Sequence, residues 1–216
     1  MHLETSLGQN GRAFRCRPVV STDLQSLCSL MTEVGASFAG LTSRSMCFAI
    51  GSDAVAANRV TIAVADHDKE LIGFVAAVVD PAEYWKGFLW RHPMVGTTAV
   101  VHKLLRGGGR TGLLRGGRGT GIDHWNQSSP SIARILYVGV AERFRRKGIG
   151  AQLYQTVFHM LAESGVQHAE AHTDHDNIPS IRLFAQIGGH SRMVKGGTGL
   201  LWTLDLSFIR GGKGAP

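Results

Sequence analysis

The sequence predicts a mixed α/β (α+β) fold, and its 216 residues are the length of one ordinary domain with an insertion. Runs rich in β-branched and other apolar residues recur along the chain and indicate strands. Segments with apolar residues at helical spacing lie between them and indicate helices that pack against a sheet. Two strands are joined by a short polar hairpin loop, and a later strand leads through a glycine loop into a helix.

Six segments have the composition of strands. In chain order they are residues 13–18, 60–65, 71–79, 132–140, 166–173 and 200–206. The second and third are separated by the polar residues 66–69, which predicts a β-hairpin. Asp80-Pro81 ends the third strand, because proline cannot donate to a sheet ladder.

Three helices outside the insertion follow from start and stop signals. The capping sequence 21–23 opens the first, which ends near residue 30. Residues 151–164 carry apolar residues at helical spacing and stop at Gly165. Asn177 caps the third before an early proline, and Gly188-Gly189 closes it.

Residues 82–131 are predicted to be an insertion within the single domain 1–216. A helical pattern from residue 83 breaks at Pro93 and resumes over residues 100–105, which predicts a helical pair. Residues 106–121 then contain eight glycines and four arginines, a composition that predicts a solvated loop.

Charge and cysteine content restrict the function classes. The net charge is +7, and +5 of it lies in residues 81–131, which favours anionic partners. Cys16, Cys28 and Cys47 are an odd number without C-x-x-C spacing, which argues against a disulfide framework and a zinc ribbon. Without a signal sequence or a spanning helix in the pattern, the expected location is cytoplasmic.

The loop after the fourth strand carries the main functional signal. It reads Arg145-Arg146-Lys147-Gly148-Ile149-Gly150. A strand, a glycine loop and a helix direct backbone N–H groups and the positive end of the helix at one small volume, which suits a pyrophosphate. The two glycines allow close approach to the backbone, and the three basic side chains add positive charge.

Two common nucleotide-binding patterns do not fit this loop. The dinucleotide pattern G-x-G-x-x-G requires a third glycine where the chain has Leu153, and the P-loop pattern also fails. A glycine turn that only caps a helix is the structural alternative.

The stretch 138–150 resembles the signature of the GNAT superfamily of acyl-CoA N-acyltransferases, a strand followed by R/Q-x-x-G-x-G/A and a helix. Residues 177–188, Asn-Ile-Pro-Ser-Ile-Arg-Leu-Phe-Ala-Gln-Ile-Gly, resemble the family's N-x-x-A-x-x-L-Y-x-x-x-G-F stretch. The resemblance covers residues 14–206 in element order and is sharpest from about 136 to 188.

The resemblance implies a mostly antiparallel central sheet flanked by helices, in which the strand before the loop and the next strand splay apart around the acyl-CoA site. It implies acetyl-CoA as cosubstrate, with no metal, and a small-molecule or peptide amine as acceptor. The pantetheine arm would lie between the two strands. The cofactor-binding residues that it implies are Val138, Val140, Arg145, Arg146, Lys147, Gly148, Ile149, Gly150, Asn177 and Phe184.

The chemistry requires a base, because an amine attacks a thioester only when it is neutral. Glu170, His172 and Asp174 alternate along the fifth strand and should share one face. His172 is the first candidate for the base, with Glu170 as the alternative. A strand histidine with no catalytic role is the structural alternative, and a metal site at these adjacent residues is disfavoured.

Phe184 departs from the family pattern, because it stands where the family usually has the tyrosine that protonates the leaving thiolate. Tyr137 or a water molecule would then replace that donor, or the thiolate leaves unassisted. Gly189 replaces the usual phenylalanine after Gly188. A non-catalytic acyl-CoA-binding sensor is therefore the second functional hypothesis.

The aromatic and basic helix 84–92 leaves several roles open. It could pack on the domain, line the acceptor side, contact a membrane surface peripherally or form a homodimer contact. An amino-sugar acceptor is a further hypothesis, because some bacterial GNAT proteins linked to surface-glycan synthesis have similar insertions. The RGG-like runs resemble RNA-binding segments, but only Trp125 lies near them, so no nucleic-acid partner is expected.

Deleting residues 107–119 should leave the fold and acetyl-CoA binding intact, because a loop of this composition contributes little packing. Circular dichroism and calorimetric titration with acetyl-CoA test this expectation. An insoluble deletion variant, or one that does not bind acetyl-CoA, would show that the loop is structural.

Overall fold

The structure is a computed structural model that describes residues 6–7, 13–35, 44–57, 59–95, 129–194 and 199–210. The described residues form one sheet in the order β1-β2-β3-β4-β5-β6-β8-β7. Its strands are β1 (Ser6–Leu7), β2 (Ala13–Pro18), β3 (Val60–His67), β4 (Glu70–Val79), β5 (Ile132–Val140), β6 (His168–Asp174), β7 (His190–Met193) and β8 (Gly199–Asp205). Every neighbouring pair is antiparallel except β5–β6. The predicted mixed, mostly antiparallel sheet is confirmed.

Helices cover this sheet on both sides. They are α1 (Leu24–Glu33), α2 (Arg44–Val55), α3 (Pro81–Arg91), α4 (Ile149–Glu163), α5 (Ile178–Gln186) and α6 (Ser207–Arg210). A 3₁₀ turn at Ser21–Asp23 precedes α1, and Asn177 caps α5 by accepting a hydrogen bond from the Ser180 N–H at 3.2 Å. The three helices predicted outside the insertion are confirmed, with boundaries that shift by one to three residues.

The core has two halves because the central strand β4 is buried on both faces. Val75 belongs to the cluster that includes Leu153 and Val157 of α4. Phe74 belongs to the opposite cluster with Leu27 of α1 and other residues of α1–α3. Successive side chains of a strand point to opposite faces of the sheet, so β4 contacts the helices on both sides.

Arg17 joins the start of α1 to the sheet. Its guanidinium donates to the Asp66 carboxylate on β3 at 2.8 Å and to Asp23 at 2.9 Å. Asp23 also accepts from the Val20 N–H at 2.9 Å. The hydrogen bond from Arg17 holds the pKa of Asp23 below its usual range, so the carboxylate stays charged where it caps the helix.

Helix α2 is an element that the sequence pattern did not predict. Its outward position 48 is a phenylalanine that is 50% exposed, whereas Asp53 lies on the buried side at 3%. Gly51 lies within the continuous helix at a close contact, because a Cβ there would lie 2.9 Å from the Leu24 side chain of α1. A helix is recognised in a sequence when its apolar residues fall on one face. In α2 an apolar residue lies on the exposed face and a carboxylate on the buried face, so this pattern is weak.

The first predicted helix of the insertion is α3, and it packs on the domain. Tyr84 and Phe88 are 0% and 1% exposed, whereas Trp90 is 88% exposed. The Arg91 side chain is held within the domain, because its guanidinium donates to Asp53 of α2 at 2.9 Å. The second predicted helix at residues 100–105 and the loop 106–121 lie outside the described residues.

Replacing Asp53 with Asn should lower the free energy of unfolding by about 1–3 kcal/mol, because Arg91 and His92 both bond to this buried carboxylate. Burial raises the pKa of Asp53, but the hydrogen bonds from Arg91 and His92 outweigh it and hold the pKa below the ordinary 3.8. This contribution is therefore present above that pH and is lost as the pH falls through the folded-state pKa. Urea unfolding at about pH 7 and pH 3 measures both effects.

Glu83→Gln is the matched control for Asp53, because Glu83 forms an ion pair with Lys86 on the exposed face of α3. Such an exposed pair is screened by solvent and contributes little to stability. Equal losses in the two variants would contradict a stabilising role for the buried Asp53 contacts.

Candidate functional site

The strands β5 and β6 pair over a short distance and then part. Ile132, Ala133 and Arg134 pair with the first three residues of β6, and no later pair joins the two strands although both continue. On the other side of β5, Ala76 and Ala77 of β4 oppose Tyr137 and Ile135, so Leu136 is an extra, bulged residue. The predicted splay is present, and it begins at this bulge.

The loop at the open end of β5 presents backbone donors. After a 3₁₀ turn at Glu142–Phe144, the chain passes through Arg146 and Gly148, both with positive φ of 62° and 78°, into α4. In the described part of the chain, no carbonyl accepts a hydrogen bond from the backbone N–H groups of residues 146–150. These donors and the N-terminus of α4 form an anion-binding cradle.

Basic side chains border the cradle. Arg145, Arg146 and Lys147 are all exposed. The Arg145 Nε donates to the Val140 carbonyl at 3.1 Å, and the Lys147 ammonium lies 5.2 Å from the Phe144 ring centroid. Arg145 is thus anchored to the end of β5, which keeps positive charge at the mouth of the splay.

The loop residues differ in what they offer a ligand. Apart from its chain neighbours, no atom of the described residues lies within 4 Å of the place where a Cβ on Gly148 would stand. Ile149, the first residue of α4, is 2% exposed and packs in the core cluster. Its side chain therefore anchors the loop, and only its backbone can contact a ligand. A Cβ on Gly150 would meet Leu183 at an ordinary 3.5 Å. The cradle therefore fits a pyrophosphate sterically and electrostatically.

The family comparison agrees with this geometry. Residues 113–189, which include the splayed strands, the cradle and α5, match the model of the Acetyltransferase (GNAT) family. The chain is thus similar to the GNAT acetyltransferase family over residues 113–189, and it has the GNAT fold. No curated protein matches it by sequence.

Solved GNAT structures share the fold at low sequence identity. The GNAT domain of PAT from S. lividans has a TM-score of 0.60 at 13% identity and covers 94% of this chain and 96% of its own. PaiA N-acetyltransferase from Thermoplasma acidophilum, in complex with coenzyme A, has 0.58 at 12%, with 89% and 98% covered. NAA60 from Arabidopsis thaliana, in complex with acetyl-CoA, has 0.52 at 16%, with 89% and 97% covered.

His172 lies on the face of β6 that points away from α4. Ala171 and Thr173 are buried on the α4 side, whereas Glu170 and His172 are partly exposed, as the predicted alternation requires. A Cβ added to Gly199 of β8 would lie 2.5 Å from the His172 Nε2. The absence of a side chain at Gly199 thus provides the room that the imidazole occupies.

Glu170, the alternative base, is engaged in an ion pair. Its carboxylate accepts a hydrogen bond from Arg134, and both side chains are largely buried. The two residues face each other because β5 and β6 pair in parallel at this position. Accepting a proton at Glu170 would require this ion pair to break. Arg134 was not predicted as a site residue, because only the register between strands reveals it.

Tyr137 lies beyond the bulge on the α1 side. Its hydroxyl donates to the Val34 carbonyl at 3.2 Å, and its ring stacks on Phe74 with centroids 6.0 Å apart. Burial raises the pKa of Tyr137, although Arg145 opposes this shift. The hydroxyl is therefore a protonated donor that is directed at the end of α1.

Phe184 occupies the core of the GNAT domain rather than an open cleft. Its ring is 2% exposed, stacks on Trp202 at 5.6 Å and meets Tyr154 edge-on at 5.0 Å. The neighbouring rings of Tyr154 and Trp202 cover this side chain, and its predicted contact with a cofactor stays a prediction. Asn177 uses its side-chain oxygen to cap α5.

Other classes of site receive no support from the described residues. There, no three His, Cys, Asp or Glu side chains are grouped as metal ligands would be, and no helix is long and apolar enough to cross a membrane. The three cysteines are free. Burial raises the pKa of Cys47 to about 11, so its thiol stays protonated and is a poor nucleophile.

Substitutions at Gly148 and Gly150 test the cradle in two ways, through backbone strain and through close approach of the cofactor. Gly148→Ala should weaken acetyl-CoA binding, because the positive φ of 78° strains any L side chain and displaces the cradle. Gly150→Ala should keep the fold, because its Cβ makes an ordinary contact, yet it should also weaken binding where the cofactor approaches the backbone.

Calorimetric titration with acetyl-CoA measures these affinities, and thermal unfolding of the free variants is the control. If both variants bind acetyl-CoA as tightly as the parent, the pyrophosphate does not bind at this loop. Lost affinity together with lost stability in Gly150→Ala would indicate a packing role for this position.

Proposed function

We propose that the protein transfers an acetyl or other acyl group from acetyl-CoA to a primary amine, by direct attack in a ternary complex. The observation that carries this proposal is the splay between β5 and β6 that ends in the cradle at residues 146–150. An extended thioester with a pyrophosphate at one end matches an open strand edge with an anion site at its end.

The cosubstrate would be held mainly by backbone groups. The N–H groups of residues 146–150 would bind the pyrophosphate, with Arg146 and Lys147 adding charge. Val138 and Val140 are on the strand edge that β6 leaves unpaired, so their backbone groups would bond to the pantetheine amides. Such contacts place the thioester next to the parted ends of β5 and β6.

The acceptor amine would approach from the side of His172. Its imidazole would remove the proton from the ammonium group, directly or through a water molecule. The neutral nitrogen then attacks the thioester carbonyl carbon, a C–N bond forms, and the C–S bond breaks to release the CoA thiolate. His172 passes this first proton to solvent, and the nitrogen loses a second proton to water as the amide forms, so that ammonium and thioester give amide, thiolate and two protons.

Protonation of the leaving thiolate would fall to water. Phe184 has no proton to give and is buried, and the Tyr137 hydroxyl is directed at Val34. A thiol has a pKa of about 8.5, so a thiolate is a stable enough leaving group near neutral pH without an acid. Tyr137→Phe should therefore change turnover less than loss of His172 does.

A non-catalytic acyl-CoA sensor is the second candidate function. The observations that favour it are the buried phenyl ring of Phe184 at the usual tyrosine position and the ion pair that engages Glu170. A panel of peptide N-termini, polyamines and amino sugars, with thiol release from acetyl-CoA as the readout, separates the two functions. Binding of acetyl-CoA without amine-dependent thiol release supports the sensor.

His172→Ala should lower turnover by about a hundred- to ten-thousand-fold, the usual contribution of a general base. Acetyl-CoA affinity should stay within a few-fold of the parent, because His172 lies on β6 and not in the cradle. The pH dependence of kcat/KM and calorimetry measure the two quantities.

His159→Ala is the matched control, because His159 is an exposed histidine on α4, on the side of the sheet opposite His172. A pH–rate profile that is the same in the parent and in His172→Ala would remove His172 from the mechanism.

A further inference from the structure

One aromatic ring lies just before the cradle and is shared by several elements. Phe144 ends the 3₁₀ turn that joins β5 to the cradle, and its side chain is partly buried. It packs against residues of both core clusters, the one around α4 and the one of α1–α3. These clusters lie on opposite faces of the sheet, so the ring contacts both helical layers where β5 ends.

The hairpin between β3 and β4 contacts the same ring. The His67 imidazole lies 5.6 Å from the Phe144 ring, centroid to centroid, with the two planes tilted by 45°. His67 pairs with Glu70, and the two residues between them, Asp68 and Lys69, have φ of 51° and 68°. A two-residue loop with two positive φ values matches the twist of the strands that it joins. His67 therefore has a defined position beside the ring.

Two cations also lie on the Phe144 ring. The Arg143 guanidinium carbon is 5.1 Å from its centroid and the Lys147 ammonium nitrogen is 5.2 Å from it. Both distances are within the roughly 6 Å over which a ring attracts a cation. Arg143 also donates to Glu70, whereas none of the ion pairs among the described residues includes Lys147. Lys147 is thus the cation on this ring that is available to an anionic ligand.

Lys147 is itself part of the cradle, because its backbone N–H is one of the donors at residues 146–150. An exposed lysine side chain samples many rotamers, and ordering it on a ligand costs entropy. The contact with Phe144 restricts this sampling to positions beside the loop. An ammonium group has three N–H donors, so a phosphate oxygen can accept from it while its other side faces the ring.

We propose that Phe144 is a positioning residue of the cosubstrate site, whose ring holds the Lys147 ammonium where the phosphate groups of acetyl-CoA bind. The ring acts through Lys147 and does not itself contact the cosubstrate. Its contacts with His67 and with both cores keep the ring in place. This inference rests on the proposed acetyl-CoA-dependent transfer, for which it names a residue that raises cosubstrate affinity.

Substitutions at Phe144 and Lys147 test the proposal, with calorimetric titration of acetyl-CoA as the measurement. Phe144→Leu keeps an apolar side chain but removes the ring, so it should weaken binding by about two- to fivefold, the range of a cation–π contact at an exposed site. Phe144→Tyr keeps the ring and should restore the parental affinity. Lys147→Met should weaken binding by about tenfold, the lower end for a hydrogen bond to a charged group.

A double-mutant cycle shows whether the ring acts through the lysine. In the Lys147→Met background, Phe144→Leu should have no further effect, because the group that the ring positions is absent. The effect of Phe144→Leu alone should also diminish between about 0.05 and 0.5 M salt, because salt screens the attraction between ammonium and phosphate. A ring that only stabilises the loop would give the same loss in both backgrounds and at both salt concentrations.

Arg143→Met is the matched control. It removes one positive charge and one cation from the same ring, but Glu70 already pairs with this charge. Acetyl-CoA affinity should therefore change less than in Lys147→Met. Thermal unfolding without ligand shows whether each variant is folded, and Phe144→Met replaces Phe144→Leu in the cycle if the leucine variant unfolds.

The outcomes distinguish this inference from the function on which it rests. Additive losses in the cycle, or an unchanged affinity in Phe144→Leu, would overturn the inference and retain the acyl transfer. Equal losses in Arg143→Met and Lys147→Met would assign the effect to overall charge and also overturn the inference. Acetyl-CoA binding without amine-dependent thiol release from any acceptor would defeat the proposed transfer, and the binding cycle would still decide the role of Phe144.

Discussion

The site depends on one constraint in the sheet, the short parallel pairing between β5 and β6. Only Ile132, Ala133 and Arg134 take part in it, and the bulge at Leu136 follows directly. Beyond this point the two strands leave edges whose backbone groups need other partners. A single 3₁₀ turn connects β5 to the cradle at residues 146–150, so the open edge and the anion site are neighbouring parts of the chain.

The two faces of the sheet differ in packing and in polarity. On the α4 side, Phe184 packs between Tyr154 and Trp202 and helps to hold α5 against the core. A hydroxyl on this ring would need a polar partner among aromatic neighbours, so phenylalanine suits the packing and contributes nothing to proton transfer. On the opposite face, the side chains of β6 are polar and partly exposed. Proton chemistry in this chain is therefore expected on the His172 face.

Local signals were sufficient for much of the fold. Alternation along residues 168–174, the cap at Asn177 and the glycines of the loop depend on neighbours within a few residues, and the structure contains each of them. Helix α2 and strand β7 were missed for a common reason. In α2 a phenylalanine faces outward and Asp53 faces inward, and β7 is exposed at all four residues, so neither has the apolar pattern from which an element is recognised.

By itself, the sequence determined six of the strands and the three helices that lie outside the insertion, the splayed GNAT architecture through its two motifs, and the loop at which an anion would bind. Only the tertiary structure decided which charged groups are already engaged. Arg134 neutralises Glu170 across the parallel strands, and Asp53 holds Arg91 between two helices. These relations join residues far apart in the chain, and they follow from strand register and helix packing, which no local pattern of residues encodes.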